Sequence, residues 1–306
     1  MPRGVTHAVI DPSVNTVRRE AFDHREQLVS VIFHDGVEIV EYEAFYGCKS
    51  LRGRIKLLGV REIGDRAFRG CPALSGVEFG DRLETIGCNA FNGCSLRSIK
   101  LPSVEILQAW AFSHCKHLTD VEFGRDLERM GFNSFLNCPN LQRIAIPLKD
   151  NLLLFHPREQ QYNQFEGCEN LTTVDIVGVE EIKKTISSLL LEAWRDEMNE
   201  EIGRINRELP TIRGTDKANA VQLWIGSVNN RLDHYKAEHD RLLKEHMTLL
   251  ELAVWKAKLD EKEDNSTKKV EAKRTKIDEE GARREKRITS GADIIIKNIL
   301  PFLKLE

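Results

Sequence analysis

Cysteine has the widest chemical range of the side chains in this sequence, because a thiol can act as a nucleophile, bind a metal or form a disulfide. The 306-residue chain contains seven cysteines. Cys88 stands alone, whereas the other six occupy one position of a recurring Phe-x-x-Cys phrase: Cys48, Cys71, Cys94, Cys115, Cys138 and Cys168. This regularity predicts a stack of small buried groups, a common environment for free cysteine. We therefore expect no nucleophile among them.

Stacked cysteines could also form disulfides or bind a metal. Stacked neighbours could meet the distance for a disulfide, but the chain is much longer than the small secreted domains that depend on disulfides, so we expect free thiols. The run His114-Cys115-Lys116-His117 could suggest a metal site. Because Cys115 belongs to the stack and a second ligand pair at the usual spacing is missing, we expect no metal.

Histidine and the known catalytic motifs add no reaction chemistry. His239 and His246 lie in one apolar stripe, where they could form a metal pair or a pH switch. Their seven-residue separation does not match the i, i+4 pair of a helical metal site, which favours ordinary, partly buried histidines. The sequence has no P-loop, dinucleotide-binding turn, Gly-x-Ser-x-Gly or His-Glu-x-x-His motif. It therefore gives no catalytic residue, cofactor or metal ligand.

A repeat of about 23 residues must position these side chains. The spacings between its phenylalanines are 23, 23, 23, 21, 23 and 30 residues. A fixed period in this range is typical of a stacked solenoid, in which each copy buries its apolar side against its neighbours. The seven phenylalanines predict about seven coils: Phe22, Phe45, Phe68, Phe91, Phe112, Phe135 and Phe165.

Within each coil, alternating apolar residues predict a strand, and a second apolar pair predicts a shorter one. Gly64, Gly87 and Gly131 follow the short strands, where a positive φ or a close backbone approach is expected. Arg54 replaces an apolar residue and predicts a bulge. The segment 147–157 is an insertion, in which we expect the residues from Leu152 to Phe155 to cover apolar surface nearby.

The coils are expected to present two rows of outward side chains. The strand-face row alternates in charge, which stabilises the sheet by itself. The second row is mostly glutamate, interrupted by Arg61, and its like charges should repel. It is either a docking surface for a basic partner or a set of solvated carboxylates. The strand-face row comprises Ile32, Lys56, Glu78, Lys100, Glu122, Ala145 and Asp175, and the second row comprises Glu38, Glu84, Glu105, Glu128 and Glu180.

Helical patterns follow the repeats. Trp194, Met198, Ile202, Ile205 and Leu209 share one helix face, which Pro210 ends. A second helix is predicted over 217–262, with a heptad-like stripe. This helix either pairs with the first in an antiparallel hairpin or self-associates as a coiled coil. The stripe comprises Val221, Ile225, Val228, Leu232, Tyr235, His239, Leu242, His246, Leu249 and Ala253.

A basic tail follows the long helix. Four interpretations are open: a nuclear-import signal, a nucleic-acid contact, an internal partner for the glutamates, or a solvated helix of mixed charge. Its basic residues include Lys268, Lys269, Arg283, Arg284, Lys286 and Arg287. The net charge of −3 argues against general nucleic-acid binding. The apolar run from Ile294 to Leu300 is too short to span a membrane.

The phrase Ala44-Phe45-Tyr46-Gly47-Cys48-Lys49-Ser50-Leu51 and its copies resemble the leucine-rich repeats of BspA-like proteins over residues 21–182. That resemblance implies a right-handed parallel solenoid that binds proteins through its sheet. Together with the segments 242–259 and 288–294, the repeats also resemble uncharacterised leucine-rich repeat proteins of microbial eukaryotes, which suggest no activity.

The sequence therefore predicts an α+β chain: a parallel β-solenoid of about seven leucine-rich coils, followed by a helical hairpin or coiled-coil-like region. The expected domains are 1–182, 183–262 and 263–306. We expect a non-enzymatic protein-binding module that acts through the sheet face. The alternatives are a structural or regulatory protein that acts through its helices and homo-oligomerises, and a weak nucleic-acid binder. The amino terminus lacks a signal-peptide pattern, so the expected location is the cytoplasm, or the nucleus if the tail directs import.

Overall fold

The structure is a computed structural model that describes residues 4–154, 163–180 and 192–271, with side chains in the last range described for 195–258. The chain forms two compact units, and the boundary between them falls between Leu232 and Asp233. The first unit contains the repeats, the first helix and the start of the second. None of the described helices is both long and apolar enough to cross a bilayer.

Each coil of the first unit contributes a main strand, and most coils also contribute a two-residue strand, as the alternating sequence predicts. The main strands are β1 (His7–Val9), β3 (Ser30–Ile32), β5 (Gly53–Leu57), β7 (Leu74–Phe79), β9 (Ser98–Leu101), β11 (Asp120–Phe123), β13 (Arg143–Ile146) and β14 (Thr173–Ile176). The short strands are β2 (Thr16–Val17), β4 (Ile39–Val40), β6 (Glu62–Ile63), β8 (Thr85–Ile86), β10 (Ile106–Leu107) and β12 (Arg129–Met130).

The strands pair in parallel, coil upon coil, which confirms the predicted solenoid. The six short strands form one continuous sheet in the order β12-β10-β8-β6-β4-β2. The main strands form pairs β1-β3 and β5-β7 and the four-stranded sheet β14-β13-β11-β9. The register shifts between Gly53 and Arg54, so the predicted bulge is present. The first coil, β1 and β2, is partial and pairs with β3 and β4.

A column of phenylalanine rings forms the centre of the solenoid core. The rings of Phe68 and Phe91 lie 5.2 Å apart at an angle of 6°. The same nearly parallel stacking runs from Phe22 to Phe165. Even across the 30-residue step the rings of Phe135 and Phe165 remain 6.2 Å apart. Each repeat phenylalanine therefore stacks on that of the preceding coil, even where the chain between the two is longer than usual.

The insertion packs back on the solenoid at its start. Leu152 and Leu153 are buried, and Leu153 forms a parallel bridge with Met130 of the preceding coil. Leu154 is 39% exposed, and Phe155 lies outside the described residues. The covering role that the sequence suggested for this apolar run is thus performed by its first two leucines.

The predicted corner glycines allow a close approach between coils. A Cβ atom at Gly87 would lie 2.6 Å from the backbone nitrogen of Asp65, and one at Gly131 would lie 2.5 Å from that of Ala109. Positive φ angles occur elsewhere in the coil, for example at Gly47, Gly70 and Gly93. Of the two reasons expected for glycine at the corner, the structure therefore supports the lack of room for a side chain.

Among the described residues, two long helices follow the last strand. They are α1 (Glu192–Glu208) and α2 (Lys217–Glu271), joined through a single 3₁₀ turn, Leu209–Thr211. The end of α1 before Pro210 agrees with the prediction. The helix α2 extends nine residues beyond the predicted end at Lys262, because no glycine or proline interrupts the sequence there.

In the first unit α1 and the start of α2 cover the end of the solenoid. The Oδ1 atom of Asn206 accepts a 2.7 Å hydrogen bond from the backbone N–H of Val174, in the last strand β14. The indole of Trp224 is fully buried and donates to the carbonyl of Glu201, which joins the two helices as an antiparallel hairpin. The hairpin thus acts as the terminal cap that a solenoid requires.

Lys217 fixes the start of α2 to the last coil. Its side chain is 1% exposed. Its ammonium group donates to three backbone carbonyls, those of Cys168, Glu169 and Leu171, at 3.1, 2.7 and 2.8 Å. Burial lowers the pKa of Lys217, whereas the charge of Glu169 raises it. The three acceptors compensate the buried charge, and the ammonium in turn satisfies three backbone carbonyls of the last coil.

Candidate functional site

The six repeat cysteines form one buried column, as predicted. Each thiol donates to the backbone carbonyl of the phenylalanine in the preceding coil, for example Cys94 to Phe68 at 3.2 Å and Cys115 to Phe91 at 3.3 Å. All seven cysteines are free, and Cys88 is half-buried. Burial raises the pKa of Cys115 to about 12. Such thiols hold a proton at neutral pH and do not act as nucleophiles.

The histidines and cysteines that were weighed as metal ligands lie apart from one another or face different surroundings. The part of the chain that the structure describes contains no group of three or more His, Cys, Asp or Glu side chains able to hold a metal. Cys115 donates to a carbonyl in the core, whereas His114 and His117 are exposed. His239 is half-buried and His246 exposed, and the Nδ1 atom of His246 lies 2.6 Å from the carbonyl of Leu242.

The charges of the strand-face row largely neutralise one another. Lys100 lies opposite Glu122 and forms a 2.9 Å salt bridge with it. Lys56 and Glu78 form a longer one at 3.6 Å. The sequence had placed Ala145 among the outward side chains, but it is only 4% exposed. Because Ala145 pairs with Glu122 and Asp175 in the sheet, it holds its predicted place in the row, and only its low exposure differs from the expectation.

Asp175, the last member of this row, is paired across the neighbouring strand. The Nε atom of Arg143 donates to the carboxylate of Asp175 at 2.6 Å, while its Nη1 atom donates to Asp120 at 3.2 Å. Burial is the largest single effect and lowers the pKa of Arg143, but the hydrogen bonds and charges of Asp175 and Asp120 together raise it. The far end of the strand face is therefore charge-compensated as well.

The glutamate row is a true column over five coils. Backbone hydrogen bonds of 2.7 to 2.9 Å connect each member to the next. All five members are exposed. We call them the acidic column: Glu38, Arg61, Glu84, Glu105 and Glu128. Beyond Glu128 the register of the Met130–Leu153 bridge makes Asn151 the next member, and Glu180 lies four residues past the end of β14.

The single arginine compensates only one end of this column. Arg61 donates to Glu84 through Nε at 3.2 Å and Nη2 at 2.8 Å. The hydrogen bond to Glu84, together with the charges of Glu84 and Glu38, raises the pKa of Arg61. Within the described residues, no salt bridge reaches Glu105 or Glu128. The distal half of the acidic column therefore keeps its negative charge.

Beside this column the short sheet carries a groove of about 340 Å³ that the sequence did not reveal. Glu41, Gly64, Gly87 and Gln108 occupy equivalent places in successive coils, as their backbone hydrogen bonds to the preceding coils show. The two glycines leave a gap between the side chains of Glu41 and Gln108. The sequence signal for this groove is the pair of glycines between Glu41 and Gln108 at one repeat position. It indicates a gap only when the register of the coils is known.

Two walls flank the groove. Ile39, Glu62 and Thr85 form one wall, in direct strand register. Tyr42 and Asp65 form the other. Between them runs the backbone of β6, whose Ile63 side chain is fully buried in the solenoid core.

Arg19 closes the end of the groove beside Glu41. Its guanidinium lies 4.5 Å from the centre of the Tyr42 ring, and its Nε atom donates to Glu20 at 3.0 Å. A hydrogen bond to Glu43 raises the pKa of Tyr42, so its hydroxyl stays protonated. The aromatic wall of the groove is thus already in contact with a cation from the chain itself.

In the second unit, α2 carries exposed apolar side chains. Leu249 and Trp255 are each 62% exposed, and Leu252 is 55% exposed. Of the basic tail, Lys268 and Lys269 lie within the α2 backbone, but their side chains are not described. The remaining tail residues, including Arg283, Arg284, Lys286 and Arg287, lie outside the described residues.

A comparison with known protein families decides the family of the repeats. The family described as BspA type leucine-rich repeat region matches residues 4–56 and 54–156 in six copies. These residues make up half of the chain and contain most of the phenylalanine and cysteine columns. The chain belongs to the BspA-type leucine-rich repeat family. Leucine-rich repeats of this kind commonly serve as protein-interaction modules.

Solved structures of bacterial leucine-rich repeat proteins are similar to this BspA-type chain. A leucine-rich repeat protein of T. pallidum is 33% identical, covers 48% of this chain and 69% of its own, and gives a TM-score of 0.42. A leucine-rich repeat protein of Bacteroides ovatus is 25% identical, covers 57% of this chain and 61% of its own, and gives a TM-score of 0.35. Among curated proteins, none matches the chain.

Proposed function

We propose that the solenoid is a non-enzymatic binding module that holds an extended basic segment of a partner protein along the acidic column. The observation that carries this proposal is the contrast between the two rows. Charges on the strand face pair with one another, as Lys100 and Glu122 do. Glu105 and Glu128 stand exposed in one column without such compensation among the described residues. Charge complementarity of this kind favours specificity and fast association.

The geometry of the column fits an extended segment. Its members repeat once per coil, and adjacent parallel strands are about 4.8 Å apart. A partner in extended conformation advances about 3.3 Å per residue and presents alternate side chains on one face about 6.6 Å apart. Basic side chains on that face can therefore reach successive carboxylates, because lysine and arginine are long and flexible.

Reversal of the column charge tests the proposal. We would replace Glu84, Glu105 and Glu128 by lysine together and measure affinity capture of partners from a lysate by mass spectrometry. Loss of a basic protein that the unchanged chain captures is the expected result. The matched control reverses Lys56 and Lys100 to glutamate on the strand face. Equal capture by the two variants and the unchanged chain would contradict the proposal, as would loss in the control alone.

A second candidate function is self-association through α2. The exposed apolar side chains of the second unit favour it, because a helix that is apolar on much of its surface is normally buried. Leu249 and Trp255 are the most exposed of these. Sedimentation of the full chain against a Leu249→Lys and Trp255→Lys variant tests this idea. A dimer of the unchanged chain that becomes a monomer in the variant supports the idea. A monomer in both samples rejects it.

A further inference from the structure

The groove between Glu41 and Gln108 combines one aliphatic wall residue with charged side chains. Ile39, which is half-buried, supplies the aliphatic surface, whereas the side chain of Ile63 is fully buried in the solenoid core. The carboxylates of Glu62 and Asp65 lie on opposite walls. A ligand that matches both features has a hydrocarbon stem and a polar head.

The charges that line the groove determine whether the polar head of the ligand is a cation or an anion. Three carboxylates line the groove, those of Glu41, Glu62 and Asp65, against the single guanidinium of Arg19. Arg19 is bound to Glu20 and stacked on Tyr42, and the Glu41 carboxylate accepts the backbone N–H of Arg19 at 2.7 Å. The net lining charge is therefore negative and favours a cation.

The size of the groove fits one long side chain. Its volume of about 340 Å³ lies at the lower end of the range for small-molecule pockets. The backbone also shapes it for this purpose, because Gly64 and Gly87 have no room for a larger side chain. A Cβ atom at Gly64 would lie 2.8 Å from the backbone nitrogen of Tyr42. Packing between coils thus keeps the space open.

The contact of Arg19 with Tyr42 also indicates that this wall of the groove favours cations. Here a guanidinium of this chain rests on the aromatic wall at 4.5 Å from the ring centre. Arg66 also donates to the hydroxyl of Tyr42 at 3.0 Å. The wall therefore already binds cationic groups in two geometries, one over the ring and one at its edge.

We propose that this groove binds the side chain of one arginine or lysine of the basic segment. Its methylene stem lies along Ile39, and its charged head lies between Glu62 and Asp65. This inference rests on the proposed function, because Glu38 and Glu84 of the acidic column directly precede Ile39 and Thr85 of the groove wall. The column selects a basic segment, and the groove fixes its register along the solenoid.

Capped amino acids test the groove by itself. We would titrate the isotope-labelled full chain with N-acetyl-arginine methylamide at millimolar concentration and follow the backbone amide signals of Gly64 and Gly87. We expect these signals to shift. N-acetyl-norleucine methylamide, which has an aliphatic chain but no charge, should shift them little. Equal shifts with both compounds, or none with either, would overturn the proposal.

Two variants identify the residues responsible. Glu62→Gln with Asp65→Asn should weaken arginine binding about tenfold, as expected when a charge-assisted contact is lost. The amide oxygen of the Asp65→Asn side chain can still accept the hydrogen bond that the Asp65 Oδ1 atom takes from the backbone of Cys88 at 2.8 Å. Thr85→Lys should abolish binding by placing an ammonium in the groove. Thr16→Lys, in the same row outside the groove, is the matched control and should leave binding unchanged.

The outcomes separate this inference from the proposed function. If the groove variants bind the capped arginine as the unchanged chain does, the groove proposal fails. The column proposal still stands if charge reversal at Glu84, Glu105 and Glu128 abolishes partner capture. Conversely, if the groove binds arginine and column reversal leaves capture intact, the groove is a cation site and the column proposal fails.

Discussion

The thiol of Cys94 donates to the backbone carbonyl of Phe68, 26 residues earlier, across 3.2 Å. The same contact joins each repeat cysteine to the phenylalanine of the coil before it. The repeated Phe and Cys therefore serve two different columns that are linked through the main chain. Phenylalanine fills the centre of the core, and cysteine donates a hydrogen bond to a buried carbonyl, which in several coils also accepts a backbone N–H.

Thiol accessibility should separate Cys88 from the column. In the native chain at neutral pH, we expect an aromatic disulfide reagent to modify Cys88 first, because the six column thiols are buried and out of its reach. In denaturant all seven thiols should react. The absorbance of the aromatic thiolate that the reagent releases measures the early reaction of the folded chain and the later reaction in denaturant. The Cys88→Ser variant is the control and should lack the early phase; rapid reaction of several thiols in the folded chain would contradict the buried column.

Alkaline pH should destabilise the solenoid through the same thiols. Burial raises the pKa of Cys115 from 9.0 to about 12. In the unfolded chain this thiol ionises first, so the unfolded state binds fewer protons above pH 9 and the free energy of unfolding falls as pH rises. Urea unfolding at several pH values between about 8 and 11 measures this slope. The slope should be shallower in Cys115→Ala, and an identical slope would contradict the assignment.

The central rings should dominate the stability of the core. Phe91 is fully buried and stacks on Phe68 and Phe112. Phe91→Ala should lower the free energy of unfolding by roughly 3–5 kcal/mol, because it removes a large side chain and leaves a cavity. Half-buried Phe33 is the control, and its replacement by alanine should cost less. Equal losses in the two variants, measured by urea unfolding, would argue against the ring column as the core.

Loss of the buried ammonium should loosen the terminal cap. Lys217→Met preserves most of the side-chain volume but leaves the carbonyls of Cys168, Glu169 and Leu171 without this donor. We expect a loss of roughly 3 kcal/mol. Lys149, which donates to one carbonyl, that of Asp126, is the control, and Lys149→Met should cost under about 1 kcal/mol. Hydrogen exchange of Val174 would report whether the cap opens.

Much of the first unit could be predicted from its sequence because the repeat is regular. A fixed period places Phe68 over Phe45 and Glu105 next to Glu84 with no further information, and both contacts are present. The bulge at Arg54 was also predictable, because a charged residue stood where an apolar one was expected. Register alone therefore determines both the core and the acidic column.

The features that the sequence did not reveal depend on contacts across coils. Lys217 is a charged residue at a helix start, which normally indicates solvent, and its burial depends on three carbonyls that are brought together by the last coil. The groove results from missing side chains at Gly64 and Gly87, which were interpreted as corner residues. Glu180 lies four residues past the end of β14, at the edge of the described residues, and its place in the row stays a prediction.

The coil between Phe135 and Phe165 is seven residues longer than the usual 23-residue step, yet the two rings still meet. The longer connection therefore leaves the stacking of the core rings intact. A fluorescent reporter or an immobilisation tag could therefore be inserted between these two phenylalanines without disturbing the core. A surface-bound form of the chain could then be prepared for kinetic binding assays.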